Sequence, residues 1–186
     1  MPGWFHLWVC YNKGKLFEGA IKMDMKINEQ AREAIWAEVE GLSDEELNKK
    51  PAADVWSIKQ ILEHLYLMEG AITKTIKHQL KAGEPEEVED KPIEMSTNRD
   101  VKVDAPDFAV PGDDFLTLVE LKQRLAGTHE GLKTLAKEAD EQLLESKSYP
   151  HPAFGDLSLK QYIPFVGYHE LRHLDQIKEV KEKLGL

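Results

Sequence analysis

The chain has 186 residues, the length of one domain and enough to bury a sizeable core. A formal net charge of -10, with no dense Lys/Arg cluster, excludes a nucleic-acid backbone as partner. The single cysteine, Cys10, cannot build a disulfide framework and fits a reducing compartment such as the cytoplasm, and no apolar run approaches the roughly 20 residues that span a membrane.

Residues 1–22 differ in character from the rest of the chain. They hold two of the four tryptophans and the only cysteine, without helical periodicity. Trp4 to Tyr11 is fairly apolar, but no basic stretch precedes it and no small-residue cleavage site comes after it, so it does not read as a signal peptide. Codons for Glu18-Gly19-Ala20 can form a purine-rich ribosome-binding site ahead of Met23 or Met25. The segment is then either an N-terminal extension from an upstream start or an arm that packs on the domain or a partner. Residues 23–186 form the domain.

The spacing of Ile27, Ala31, Ala34, Ile35, Val39 and Leu42 predicts a first helix over 24–42, ended by Gly41. Ser43 and Glu46 make a capping box for a short turn over 44–49, closed by Pro51. Ser57 and Gln60 repeat that box and start a second long helix, which runs to about 81. Its inward stripe is Ile58, Ile61, Leu62, Leu65, Met68, Ile72 and Ile76. Residues 83–112, with four prolines, two glycines and many acids, predict a functional loop or a crossover. A third long helix is expected from near 113 to about 141, with Phe115, Leu118, Leu121, Leu125, Leu132 and Leu135 inward. Tyr149 to Gly155 reads as a rigid turn. Ser158 and Gln161 open the last helix, which ends near 184 and carries Pro164, where a kink or a loosened turn is expected. Four long amphipathic helices and no credible strand predict an all-α four-helix bundle with a long connection between the second and third.

His169 and His173 are four apart on the last helix and share a face with Tyr162, Val166, Ile177 and Val180. His64 occupies a core position of the second helix, three after Ile61 and four before Met68. A lone inward histidine is usually a hydrogen-bonded core residue. Three inward histidines on two helices point instead to one divalent metal ion, because buried imidazoles cannot all become charged and neutral imidazole is a good ligand. Their nitrogens should then lie roughly 3–4 Å apart, as ligands at about 2.0–2.1 Å require.

His169-Glu170-Leu171-Arg172-His173 also matches the zinc-protease pattern H-E-x-x-H. Such proteases take a third ligand downstream, and only 13 residues come after His173, none of them histidine. The acids there, Asp175, Glu179 and Glu182, lie on the same helix. The third ligand must come from upstream, which is His64.

Other residues carry two readings each. Glu170 could orient a histidine or act as a catalytic base, or could be a solvated helix-face acid. Tyr168 and Phe165 could line the pocket or pack in the core. His151 could stand at the site mouth or serve its turn. His129 could support the ligands from behind. Trp56 reads as a hydrophobic staple, and His78 and His6 as incidental.

Three segments resemble the DinB/YfiT-like superfamily. They are Trp56-Ser57-Ile58-Lys59-Gln60-Ile61-Leu62-Glu63-His64-Leu65, His151-Pro152-Ala153-Phe154-Gly155 with Leu157-Ser158-Leu159, and Tyr168 through Ile177. The resemblance runs from about Ile27 to the end of the chain. It implies a four-helix bundle, a nickel, zinc or similar site made by three histidines, and a homodimer. It also implies an activity on a small-molecule substrate. Members include transferases of bacillithiol or another low-molecular-weight thiol, a mycothiol-dependent isomerase, and proteins described only as metal-dependent hydrolases. Three neutral ligands with no evident fourth favour an open, catalytic position over a metal that only staples helices. DNA binding, suggested by the superfamily's name, is disfavoured by the acidic charge.

Overall fold

Short side-chain caps start every α-helix after the first in the computed structural model, which describes residues 24–186. Helix α1 (Lys26–Glu38) leads to α2 (Asp44–Asn48), whose start is the predicted Ser43/Glu46 box. Helix α3 (Ile58–Ala82) begins at the Ser57/Gln60 box, where the Gln60 N–H donates to Ser57 Oγ at 3.2 Å and the Ser57 N–H to Gln60 Oε1 at 3.1 Å. The long connection then makes two short 3-10 turns, Ile93–Thr97 and Asp107–Ala109. Helix α4 (Leu118–Glu138) is followed by α5 (Glu141–Ser146), a hairpin of β1 (Ser148–His151) and β2 (Gly155–Ser158), and α6 (Leu159–Leu184). No helix of the described residues is long and apolar enough to cross a membrane.

Three expectations are corrected. The first helix ends at Glu38 and a turn takes the chain to Gly41, whose φ of +81° suits glycine. The third long helix starts at Leu118, because Thr117 and Glu120 form a capping box there. Phe115 therefore precedes the helix and is 57% exposed, while Leu116 is buried. The turn at 149–155 is held by an antiparallel pair in which Tyr149 faces Leu157 and His151 faces Gly155.

Helix α1 packs on α6, and α3 on both α4 and α6. Helices α1 and α6 come close together at Gly167. A Cβ there would lie 2.8 Å from the Asn28 backbone nitrogen and 2.9 Å from the Ile27 carbonyl carbon, so only glycine lets the two backbones meet. Asn28 Nδ2 donates to the Ile163 carbonyl at 2.8 Å beside it, and α6 runs unbroken through Pro164.

The apolar interior divides into two clusters. One gathers Ile72, Ile76, Leu132, Leu157, Ile163 and Val166. The other gathers Ile35, Ile61, Leu65, Leu125, Leu174 and Ile177. Between them along the helices lies a buried polar layer containing Arg32, Glu69, Glu170 and His173.

Candidate metal centre

Helix α3 supplies His64, and α6 supplies His169 and His173 one turn apart. His64 is 3% and His173 8% exposed, while His169 is only partly buried. Ring centroids are 5.3 Å apart for His64 and His169, 4.8 Å for His64 and His173, and 4.5 Å for His169 and His173. Nε2 of His173 is 3.1 Å from Nε2 of His169, and one nitrogen from each ring falls within 4.8 Å of the others. The set is thus slightly wider than the predicted 3–4 Å. One ion with ligands at about 2.1 Å spans roughly 4.2 Å at most, a difference that a small χ rotation closes.

Two of the rings are held in a fixed tautomer. His64 Nδ1 lies 2.8 Å from the Ala109 carbonyl oxygen, and His173 Nδ1 lies 2.8 Å from Gln176 Oε1. Both oxygens can only accept, so each Nδ1 carries the proton and each Nε2 keeps a free lone pair. Burial lowers the basicity of all three rings. It holds His169 well below the usual histidine range, helped by His173 and His64. It brings His173 down to about 3, with His64 adding to it and the Gln176 bond opposing. His64 is lowered by burial against a smaller rise from the Ala109 bond. Near neutral pH the three are therefore neutral, the form that ligates a metal. No fourth His, Cys, Asp or Glu joins the group among the described residues.

The walls are aromatic. Trp56, expected as a staple, places its ring 5.2 Å from that of His64. Phe165 is buried, with its ring 5.9 Å from His169 and 4.7 Å from His151. His151 stands beside Phe165 and its charge is felt at His169. Its Nδ1 accepts the Ala153 N–H at 3.1 Å and the Phe154 N–H at 3.4 Å, which leaves a proton on Nε2, and burial lowers its basicity.

Tyr168 lines a different, open groove with Ile27, Glu87, Lys91 and Gln161. His129 Nδ1 lies 3.1 Å from Glu69 Oε1, so it supports that carboxylate rather than a ring of the triad. His78 is exposed. His6 and the expectations for residues 1–22 lie outside the described residues.

Glu170 is corrected most clearly. It is 2% exposed, so it is no solvated acid, and both of its oxygens bond to Arg32. That engagement leaves it poorly suited to take a proton from a substrate. Arg32 also donates to Glu69 Oε2 at 3.1 Å and to the Leu125 carbonyl at 2.9 Å, and Thr128 donates to Glu69. Burial pushes Glu170 up against the pull of Arg32. Burial also pushes Glu69 up, but His129 and Arg32 outweigh it and hold Glu69 below the usual range.

Sequence reasoning missed Arg32, Glu69 and the orienting groups at Ala109 and Gln176. The first two were signalled by position. Arg32 falls three before Ile35, and Glu69 falls four after Leu65 and three before Ile72, all on buried stripes. Ala109 O belongs to the irregular connection, where no periodicity applies.

The sequence profile of the DinB superfamily matches residues 27–177. The chain is 39% identical over 160 residues to the uncharacterized protein YuaE of Bacillus subtilis (strain 168), an alignment covering 86% of this chain and 98% of that protein. Its fold is similar to that of TT2238, described as a four-helix bundle protein, with a TM-score of 0.59, 19% identity and coverage of 83% of this chain and 95% of the other. It is similar also to YfiT from Bacillus subtilis, described as a probable metal-dependent hydrolase with an unusual four-helix bundle topology. There the TM-score is 0.58 and the identity 15%, with 94% of each chain covered. At these identities the two structures speak for the fold.

Proposed function

The chain belongs to the DinB superfamily, and from that premise we propose that it is a divalent-metal-dependent enzyme that transfers a low-molecular-weight thiol to small electrophiles. His64, His169 and His173 are the ligands in this reading. The observation that carries it is the convergence of three neutral imidazoles, two with Nδ1 committed to a carbonyl oxygen, without a fourth protein ligand among the described residues. Such a donor set suits zinc or nickel and leaves coordination positions open.

A bound ion of this kind supplies Lewis acidity, which lowers the pKa of a coordinated thiol or water enough to give the reactive anion near neutral pH. The protein's own groups do the rest. Ala109 and Gln176 fix the direction of two ligands. Trp56 and Phe165 keep water from the sides of the triad. His151 holds a proton on Nε2 beside Phe165, suited to donate to a substrate atom. The reading includes a cytoplasmic homodimer.

Hydrolysis is the second reading, favoured by the likeness to YfiT. Protein purified without a tag or chelator should contain about one equivalent of zinc or nickel by elemental analysis. Metal-loaded protein should conjugate bacillithiol or another small thiol to monochlorobimane faster than His169→Ala. Equal rates across several thiols would remove the transferase reading, and ester and amide substrates then test hydrolysis on the same two proteins.

A further inference from the structure

Arg32 joins all four long helices through one side chain. From α1, its Nη1 donates to the Leu125 carbonyl of α4 at 2.9 Å and its Nη2 to Glu69 of α3 at 3.1 Å. Its Nε donates to Glu170 of α6 at 3.2 Å, and Nη2 bonds the second oxygen of the same carboxylate. The residue is 6% exposed, and Glu69 and Glu170 are 1% and 2% exposed. The guanidinium lies in the polar layer between the two apolar clusters, a layer that also holds His173. Glu69 stands five residues after His64, about 7.5 Å along α3, and Glu170 is the neighbour of His169.

The triad needs α3 and α6 held in one axial and rotational register, because His64 comes from one helix and its two partners from the other. Apolar contacts above and below are non-directional, so they tolerate small slides and rotations of one helix on another. A guanidinium forked onto a carboxylate is directional and fixes both helices.

We propose that Arg32 is a positioning residue for the three-histidine centre, setting the register of α3 against α6 through Glu69 and Glu170. The test reads metal affinity, and in that respect it rests on the triad being a metal site. Co(II) is the probe. Its dissociation constant comes from competition with a fluorescent chelator, and its visible d–d bands report ligand geometry. Arg32→Lys keeps the charge but cannot fork to both carboxylates and Leu125. It should fold by far-UV circular dichroism, bind Co(II) about tenfold more weakly, a size typical of groups that orient metal ligands, and show altered d–d bands. Glu69→Gln keeps shape and acceptor but loses charge assistance, and should show a smaller loss with shifted bands. Leu144→Ala, a buried cavity on α5, controls for general loosening and should bind Co(II) as the wild type does.

A wild-type affinity and spectrum in Arg32→Lys would overturn the proposal. So would a loss in Leu144→Ala as large as that in Arg32→Lys. If Arg32→Lys does not fold, Glu69→Gln decides, and unchanged binding and bands there overturn the proposal. A wild-type protein that takes up no Co(II), Zn(II) or Ni(II) overturns the metal reading itself, and this inference with it.

Discussion

His169 and Glu170 are neighbours on α6, yet they serve two buried polar clusters of opposite construction. Around Glu170 every strong charge has a partner: Arg32 faces two carboxylates, and Thr128 and His129 take further lone pairs of Glu69. Around His169 three neutral rings bring their nitrogens together, with Nε2 of His169 3.1 Å from Nε2 of His173. The first cluster satisfies itself within the fold and reaches the triad only through the register of the helices. The second is a set of neutral donors that could hold a metal ion. Two residues about 100° apart on one helix thus serve a self-paired charge cluster and a cluster of neutral rings.

The largest expected effect tests the first half of that comparison. Arg32→Met leaves two carboxylates buried without their cation and should cost about 3–5 kcal/mol in urea denaturation. His173→Leu, measured with chelator present, should change stability by no more than about 1 kcal/mol, because apolar replacement of a buried polar group is often close to neutral. Equal losses in the two variants would erase the distinction.

The next effect tests the second half. Zinc or nickel at about a hundred times its dissociation constant should stabilise the wild type by about 2.7 kcal/mol and leave His169→Ala unmoved. A stabilisation retained in His169→Ala would place the metal elsewhere.

Acid should act on the triad through its depressed basicity. In the unfolded chain a histidine takes its proton near pH 6.5, whereas His173 in the fold resists until about 3, and His169 and His64 are also lowered. Below about 6.5 the unfolded state therefore binds more protons. Metal-free protein should lose stability as pH falls, by about 1.4 kcal/mol per pH unit for each histidine that stays neutral. Above about pH 7 the triad should contribute no slope. Substituting His173 by leucine should flatten the acid limb, and an unchanged limb would show that the rings protonate without unfolding.

What the sequence made legible was local or periodic. The Ser43/Glu46 and Ser57/Gln60 boxes need residues only three apart, and the triad emerged because histidine at a stripe position is chemically conspicuous. The hairpin was hidden because its strands have four residues each and one contains Pro150, so neither shows a strand pattern. The expected α4 start fell too early because Phe115 fits the apolar spacing, although Thr117 and Glu120 carry the true cap. The Arg32 cluster was hidden for a physical reason. Charge on an amphipathic helix normally faces water, and only the coincidence of opposite charges at inward positions on three helices marks a buried network.

The smallest expected effect probes whether the Glu170 cluster carries more negative charge than it needs. Arg32 contributes one positive charge, and Glu69 and Glu170 contribute one negative charge each when both are ionised. Burial pushes Glu170 up in response, with Glu69 adding to the rise. A carboxyl raised in the fold stabilises fully at pH values below its unfolded pKa, and that contribution is lost as pH rises through the folded one. Glu170→Gln removes the surplus charge but surrenders one of the two acceptors for Arg32. A hydrogen bond to a charged group contributes about 1.5–3 kcal/mol, and relief of the repulsion from Glu69 offsets much of it. The net change should stay within about 1 kcal/mol and should turn in favour of glutamine as pH rises above the ordinary carboxylate range, measured by urea denaturation at an acidic and an alkaline pH. A loss near that of Arg32→Met would show that both carboxylates are ionised and needed, and that the cluster is held together by its full charge.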